Sequence, residues 1–427
     1  MASLPATDAA PRPRLTGLIV AGTILFFLNA LSAAQFPFPA PIDELAHFSY
    51  SVSLTESPRL FPAYEEMRLQ KGACLDCPSD TPNYLVHPSV YYHMARVPIW
   101  VCGNDPGCLI ASIRGLNIAL GIAGFILLLA AGLPLLESGL SRALYVLILA
   151  TTPKMHLVAG LANNDNLALV AVGLTFFGLS RLSRDPEKRT GVLLACLGLA
   201  LGGWAKLNAG LACGMAVSAF LFLSAKTHLA HRRQFLTTGI LFGGATLLAS
   251  IPTLMNIATY GGFFYDQSAS YSTPVEDWVD YGFVEFLLLE IKILFFRYAA
   301  FEVYQAWQVV VPIGVMLLFL LRLLLVKGQP RPPFPILPAT LLVTLVFASM
   351  HLYSVWSSYL KTGYLGGNSF RYYLPIWPYI VVCASSTLDV IPRALRLMFL
   401  VGLGVFALMN MVAIKDVARL VAWVSGG

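Results

Sequence analysis

The sequence predicts an all-α polytopic membrane protein with about eleven transmembrane helices, within a range of about nine to twelve. Of its 427 residues, 57% are hydrophobic and only 12% are charged, and the mean hydropathy is +0.71. Apolar runs of about 18 residues or more, enough to cross the hydrocarbon core of a bilayer, recur along the whole chain. The net charge of +6 does not indicate a nucleic-acid partner, because the basic residues lie in short loops between the apolar runs. The predicted spans are residues 15–34, 109–136, 143–158, 167–182, 192–204, 207–223, 235–257, 307–326, 334–355, 373–391 and 397–414.

The positions of the basic residues predict the orientation of these spans. With the N-terminus in the cytoplasm, five connections lie inside, and all but the first of them are clearly basic, as the positive-inside rule requires. These connections are residues 137–142, 183–191, 225–234, 327–333 and 392–396. The first span has no small-residue cleavage pattern near Gln35, so we expect it to be retained after residues 1–14, a cytoplasmic tail.

Two long polar inserts then fall outside the membrane, at residues 36–108 and 258–306. Within the second insert, residues 284–296 carry three charged side chains on an apolar background, and Arg297 follows directly. This pattern predicts an amphipathic helix that lies on the outer membrane surface.

Four of the seven cysteines lie in the first outer insert. An exported loop is an oxidising environment, so disulfides are expected. Four cysteines allow three pairings, of which we favour Cys74 with Cys77 and Cys102 with Cys108; a zinc site is the alternative. The other three lie in apolar spans and are expected to be packing residues.

A polar stretch follows the first span directly, where Asp43, Glu44 and His47 lie within five residues. Ionisable groups are expensive near lipid, so their presence here is informative. They would cap the next helix and remain in water, or they would form a catalytic site at the membrane surface.

On the predicted topology, further polar groups reach the same outer face. Each has an ordinary explanation as a helix cap, an interfacial anchor or part of an aromatic belt. Their joint arrival at one surface favours a functional site. They are His87, Tyr91 and Tyr92 before the second span, Asn163, Asn164 and Asp165 after the third, Lys206 and Asn208 after the fifth, and Asn368, Arg371 and Tyr372 before the tenth.

The chemistry of this set suits a lipid-linked phosphate. Lys206 and Arg371 supply cations, Arg being suited to bidentate phosphate binding. A carboxylate beside them could accept a proton from an attacking hydroxyl. A divalent cation, Mg²⁺ or Mn²⁺, is a further expectation, with Asp43, Glu44 and His47 as its candidate ligands.

Five stretches resemble the GT-C superfamily of polytopic glycosyltransferases, which use polyprenyl-phosphate-linked sugars. In layout the chain is similar to protein mannosyltransferases and to the lipid A aminoarabinose transferase. Each stretch is weak alone, but together they are fairly specific for the superfamily and not for a substrate. They are residues 41–48 (Pro-Ile-Asp-Glu-Leu-Ala-His-Phe), 83–92 (Asn-Tyr-Leu-Val-His-Pro-Ser-Val-Tyr-Tyr), 163–166 (Asn-Asn-Asp-Asn), 205–208 (Ala-Lys-Leu-Asn) and 370–375 (Phe-Arg-Tyr-Tyr-Leu-Pro).

The resemblance implies an inverting glycosyltransferase module over residues 15–391, followed by a C-terminal helix and tail at 392–427. Asp43 would be the general base with Glu44 beside it, and Lys206 and Arg371 would hold the donor phosphate. The remaining residues are expected to bind the substrates: His47, His87, Tyr91, Tyr92, Asn163, Asn164, Asp165, Asn208 and Tyr372.

The chain departs from the family pattern at residues 87–91, where His-Pro-Ser-Val-Tyr replaces the more usual His-Pro-Pro-Leu-Tyr. It also has no large soluble domain after the last span, so acceptor recognition is expected to come from the loops.

The expected partners are a polyprenyl-phosphate sugar, membrane lipids and an acceptor that is a glycan, a lipid or a protein. The expected location is the bacterial cytoplasmic membrane, with the active site on its outer side. Two alternatives remain: a transporter or flippase of a lipid-linked glycan, and a non-catalytic partner in the assembly of cell-envelope glycans. Transport is disfavoured because the ionisable residues lie at the ends of the predicted spans.

Overall fold

The structure, a computed structural model, describes residues 13–40, 43–185, 188–228, 232–262, 281–296, 309–325, 336–363 and 369–425. The predicted N-terminal tail, most of the second outer insert and Asn368 lie outside these residues.

The described part of the chain is almost entirely helical, as the apolar periodicity predicts. In chain order the helices are α1 (Pro13–Ala33), α2 (Glu44–Glu56), α3 (Val90–Cys102), α4 (Pro106–Gly132), α5 (Gly139–Ala150), α6 (Pro153–Gly160), α7 (Asp165–Arg184), α8 (Arg189–Ala205), α9 (Leu207–His228), α10 (Arg232–Tyr260), α11 (Phe283–Phe296), α12 (Val310–Leu324), α13 (Ile336–Thr362), α14 (Trp377–Ser386) and α15 (Arg393–Ser425).

Five helices in the described residues are long and apolar enough to cross a membrane, and a bent pair makes a sixth. The five spans are Leu15–Ala33, Pro106–Leu135, Asp165–Arg184, Leu236–Tyr260 and Pro338–Lys361. Three further apolar stretches, in α8, α9 and α12, are shorter than this test requires. The chain is therefore a multi-pass membrane protein, whereas the count of about eleven spans remains a prediction.

Two of the predicted spans are not single straight helices. The third bends by 48° between α5 and α6, where Pro153 lacks an N–H and restricts the residue before it. The predicted tenth span, 373–391, is wrong as one continuous helix: α14 has only 10 residues. A 3₁₀ turn, Phe370–Tyr373, precedes it, and another, Thr387–Asp389, follows it.

The predicted surface helix in the second insert corresponds to α11, but its charges do not all face outward. Glu290 is fully buried, and Phe286 packs with it on the inner side against Tyr359 of α13. Val284 and Leu288 are exposed instead. The sequence pattern did not reveal this because it cannot say which face meets the rest of the protein.

Close helix packing brings the start of α7 and the end of α8 together. α7 packs tightly on α8 and on α4, and small residues make this possible. A Cβ added at Gly178 of α7 would lie 2.5 Å from the backbone nitrogen of Ala195 in α8, and one at Gly124 of α4 would lie 2.9 Å from the backbone of Leu169. The start of α7 and the residue after α8 are thereby held as neighbours.

The first outer insert folds over these helix ends. It contains α2, an antiparallel pair of strands, β1 (Arg68–Gln70) and β2 (Pro78–Pro82), and then α3. The structure bonds Cys74 to Cys77 between the strands, and Cys102 to Cys108 between α3 and α4. This is the pairing favoured from the sequence, and no zinc ligand set converges on these cysteines in the described residues.

Candidate functional site

The core of the site is an ion pair between Asp43 and Arg371. Asp43 lies immediately before α2 with a left-handed backbone (φ 62°), and Arg371 lies in the 3₁₀ turn before α14. The Arg371 guanidinium donates to Asp43 Oδ2, and the Tyr84 hydroxyl donates to Asp43 Oδ1 at 2.7 Å. The fold thus joins two predicted site residues that are 328 positions apart.

The pair fixes the charge of Asp43. Burial alone would raise the pKa of this carboxyl, but the Arg371 guanidinium and the Tyr84 hydroxyl together hold the pKa well below its usual range. The Asp43 side chain is still 26% exposed. Asp43 is therefore an ionised carboxylate that a substrate can reach.

Glu44 lies next to Asp43 in sequence but points to a different set of partners. Its carboxylate accepts from Arg114 Nε at 2.8 Å and from Arg114 Nη2 at 2.6 Å. The backbone N–H groups of Ala40 and Ala162 donate to the same two oxygens. Glu44 is 1% exposed, so its geometry is that of a buried structural ion pair, contrary to the expectation that it stands beside Asp43 in the reaction.

A second ion pair places Lys206 beside Arg371. Lys206, between α8 and α9, donates to Asp165 Oδ1 at 2.7 Å, and both side chains are almost fully buried. Its ammonium lies 5.1 Å from the centre of the Tyr372 ring, and the Arg371 guanidinium carbon lies 5.2 Å from the same centre. Tyr372 therefore contacts both predicted phosphate-binding cations, an arrangement that cation–π attraction stabilises.

Asn208 and Asn164 brace this second pair. Asn208 Nδ2 donates to the backbone oxygen of Tyr372 at 3.2 Å, and Asn164 Nδ2 donates to that of Ala205 at 3.0 Å. The carbonyl oxygens of both amides, and Asp165 Oδ2, are buried and have no hydrogen-bond partner among the described residues. Buried acceptors without donors are costly, so the site offers places for the hydroxyl groups of a ligand or for water.

Two stacked imidazoles form another wall of the site. The rings of His47 and His87 are 6.1 Å apart and nearly parallel, and His47 Nδ1 is hydrogen-bonded to the Tyr92 hydroxyl at 2.9 Å. Burial, with Lys206 and Arg371 nearby, lowers the pKa of His87 to about 3. Burial and the neighbouring His87 likewise lower the pKa of His47. Both rings are therefore neutral at physiological pH.

Tyr91 and Asn163 serve the packing beneath the site instead of facing it. The Tyr91 hydroxyl donates to Asn117 Oδ1 at 3.0 Å, and the Asn163 backbone N–H and the Asn166 amide donate to the same oxygen. All four side chains are fully buried. The amide Nδ2 of Asn163 is one further buried group without a partner in the described part of the chain.

The predicted metal ligands do not fit a metal. Glu44 turns away to Arg114, and His47 is bonded to Tyr92. No group of three or more His, Cys, Asp or Glu side chains converges in the described residues. Asp43, Glu44 and His47 therefore do not converge as the expected set of Mg²⁺ or Mn²⁺ ligands in the described residues.

Sequence reasoning missed Arg114, Asn117 and Tyr84. A signal for the first two was present: an Arg and an Asn three residues apart interrupt a long apolar run, and polar groups inside a span usually have a specific partner. Tyr84 lies within a matched stretch, but nothing in the sequence distinguishes it from the other tyrosines of the insert.

No protein-family model and no curated protein matches the chain. Among solved structures, ArnT from Cupriavidus metallidurans bound to undecaprenyl phosphate is 13% identical, with 96% of this chain and 77% of that chain covered and a TM-score of 0.53. The oligosaccharyltransferase of Archaeoglobus fulgidus in its apo form is 11% identical, with 95% and 56% covered and a TM-score of 0.52. The same enzyme in complex with Zn and sulfate is 13% identical, with 94% and 52% covered and a TM-score of 0.52.

This chain spans only part of those proteins: 62% of apo ArnT, which is 13% identical with a TM-score of 0.50, and 56% of the apo oligosaccharyltransferase. Both are GT-C glycosyltransferases, and the chain has a GT-C-like fold. The resemblance read from the five stretches is confirmed at the level of the fold.

Proposed function

We propose that the chain is an inverting glycosyltransferase that moves a sugar from a polyprenyl-phosphate donor to an acceptor hydroxyl at the outer face of the cytoplasmic membrane. The observation that carries the proposal is the ionised Asp43 held against Arg371, with Lys206 on the same tyrosine ring. One exposed carboxylate and two cations are the groups that a base and a phosphate site require. The fold similarity to a transferase bound to undecaprenyl phosphate supports a donor of this class.

In the proposed reaction, Asp43 accepts the proton of the acceptor hydroxyl as its oxygen attacks the anomeric carbon. The bond from that carbon to the phosphate oxygen breaks, and polyprenyl phosphate leaves with the electron pair. Arg371 and Lys206 stabilise the charge that develops on the phosphate. The acceptor attacks from the face opposite the leaving group, so the sugar carbon inverts.

Donor binding would also make Asp43 a stronger base. In the free protein, Arg371 holds the pKa of Asp43 low, which favours an ionised but weak base. A donor phosphate attracts the same guanidinium, whose five N–H donors can serve two anions. As Arg371 shares its charge with the phosphate, its hold on Asp43 weakens and the carboxylate becomes more basic when the donor is in place.

The test compares wild type with Asp43→Asn in nanodiscs, using radiolabelled polyprenyl-phosphate sugars and envelope acceptors. Asn keeps the shape but removes the base, so we expect transfer to fall by about 10²- to 10⁴-fold while donor binding is retained. Asp80→Asn is the matched control, because Asp80 is an exposed aspartate on β2 in the same insert. Wild-type rates in Asp43→Asn would overturn the base assignment. Donor binding without transfer by either form would favour a non-catalytic partner.

One observation favours a transporter of lipid-linked glycans as the second candidate. Lys154 and His156 are buried at the start of α6, next to the bend between α5 and α6. Transporters place ionisable groups on broken helices. Proteoliposomes that move a fluorescent polyprenyl-linked glycan across the bilayer, and transfer no sugar, would establish that function instead.

A further inference from the structure

A cavity of about 150 Å³ lies beside the candidate site, between the first outer insert and the outer ends of α8 and α10. We call it the aromatic cavity and define it by Phe61, Tyr64, Glu65, Trp204, Asn256 and Tyr260. At a share of roughly 30 Å³ per liquid water, it has room for about five waters. It is small for a whole drug-sized ligand and suits one compact ring.

Two pairs of aromatic rings line part of its wall. The Phe61 and Trp204 rings are 5.8 Å apart, and those of Tyr64 and Tyr260 are 5.7 Å apart; both pairs are tilted. Each pair joins the outer insert to a membrane helix. Aromatic faces offer an apolar, electron-rich surface that attracts C–H groups carrying partial positive charge.

Polar groups share the rim of the aromatic cavity with these rings. The Tyr260 hydroxyl donates to Glu65 Oε2 at 3.0 Å and accepts from the Tyr64 backbone N–H. Asn256 lies one turn before Tyr260 on α10 and lines the same cavity. A carboxylate and an amide offer bonds to neighbouring hydroxyl groups.

Two chain segments that line the aromatic cavity also carry residues of the Asp43 site. The Tyr64 hydroxyl donates to the backbone oxygen of His87 at 3.0 Å, and Pro88, the next residue, lines the cavity. Trp204 comes two residues before Lys206. A molecule in the cavity would therefore be held by the same segments that carry His87 and Lys206.

We infer that the aromatic cavity binds one sugar ring of the acceptor. A sugar ring has apolar C–H faces and a rim of hydroxyls, which match the paired aromatic rings and the polar rim. The assignment to the acceptor rests on the proposed function, whereas the sugar-binding property does not. Acceptors that carry a sugar next to the attacking hydroxyl are the class that this site would take.

The test is saturation-transfer NMR with a panel of methyl glycosides and the full chain in phospholipid nanodiscs, which avoids detergents that are themselves glycosides. At least one glycoside should bind saturably to wild type. Trp204→Ala removes one aromatic wall and should raise the Kd by roughly three- to tenfold. Glu65→Gln, which alters only an exposed carboxylate, should raise it less. Trp100→Ala is the control, because Trp100 is 85% exposed on α3 and lies outside the cavity.

Two outcomes would overturn sugar binding: no glycoside binds wild type saturably, or Trp204→Ala and Glu65→Gln leave the Kd unchanged. Thermal unfolding of each variant shows whether a raised Kd comes from a changed cavity or from a protein that no longer folds. Asp43→Asn should bind the glycoside as wild type does, so a failure of the reaction mechanism would not be mistaken for a failure of this site. In the transfer assay, the bound glycoside should compete with acceptor; competition with donor alone would overturn the acceptor assignment.

Discussion

Replacement of Glu44 by Gln should damage the fold and not the chemistry. Glu44 is 1% exposed, and it is the anion that compensates Arg114, which also holds the backbone oxygens of Ala34 and Phe36. Removal of one partner of a buried ion pair costs about 3–5 kcal/mol, because the other charge stays buried without compensation. At ~1.4 kcal/mol per power of ten, the folding equilibrium constant should fall at least about 100-fold.

Thermal unfolding and donor turnover should be measured on the same Glu44→Gln sample in nanodiscs. We expect a lower unfolding midpoint, with near-normal turnover for each folded molecule. The double variant Glu44→Gln/Arg114→Gln should recover part of the stability, because it removes the uncompensated cation. Asp43→Asn should instead keep an unfolding midpoint near that of wild type and lose turnover, because Arg371, which loses its partner, is 13% exposed. A Glu44→Gln protein with the wild-type midpoint and no turnover would refute this reasoning and return Glu44 to the reaction.

Three further predictions follow from the charges and the cysteines. In pH–rate profiles, the kcat/KM profile of the free enzyme should show no acid limb near ~4 from Asp43, because the pKa of Asp43 is held lower. The acid limb of the kcat profile should lie at higher pH, because the donor phosphate shares Arg371. Identical acid limbs in the two profiles would contradict the proposed coupling. The folded-state pKa of His87 is about 3, below the unfolded value of ~6.5. The unfolded state therefore binds more protons between these two pH values, and the unfolding temperature should fall as the pH drops from 7.5 to 5. His87→Asn should reduce this pH dependence, and an unchanged slope would contradict the assignment to His87. Alkylation with and without reduction, followed by peptide mass analysis, should find the loop cysteines blocked until they are reduced, and free thiols there would argue for an inside location. These cysteines are Cys74, Cys77, Cys102 and Cys108.

The sequence was sufficient to predict the helical membrane class and to nominate several of the polar residues that the fold brings together. Apolar length and the pattern of charges are local properties, and each is visible in a window of about 20 residues. The breaks at Pro153 and around α14 show the limit of that reasoning. A short apolar run with proline reads as a span, although the backbone cannot continue as one helix there.

The partners of Asp43 and Glu44 were decided only by the tertiary structure. They are adjacent carboxylates in one short polar stretch, and the sequence does not show which partner each will meet. The left-handed backbone at Asp43 and the arrival of two different arginines send them to different partners: Arg371, from 328 residues away, and Arg114, from 70 residues away. The pKa, exposure and partners of a side chain depend on groups that are distant in sequence. Composition and spacing could therefore nominate both carboxylates. Only packing could separate the reactive candidate from the structural one.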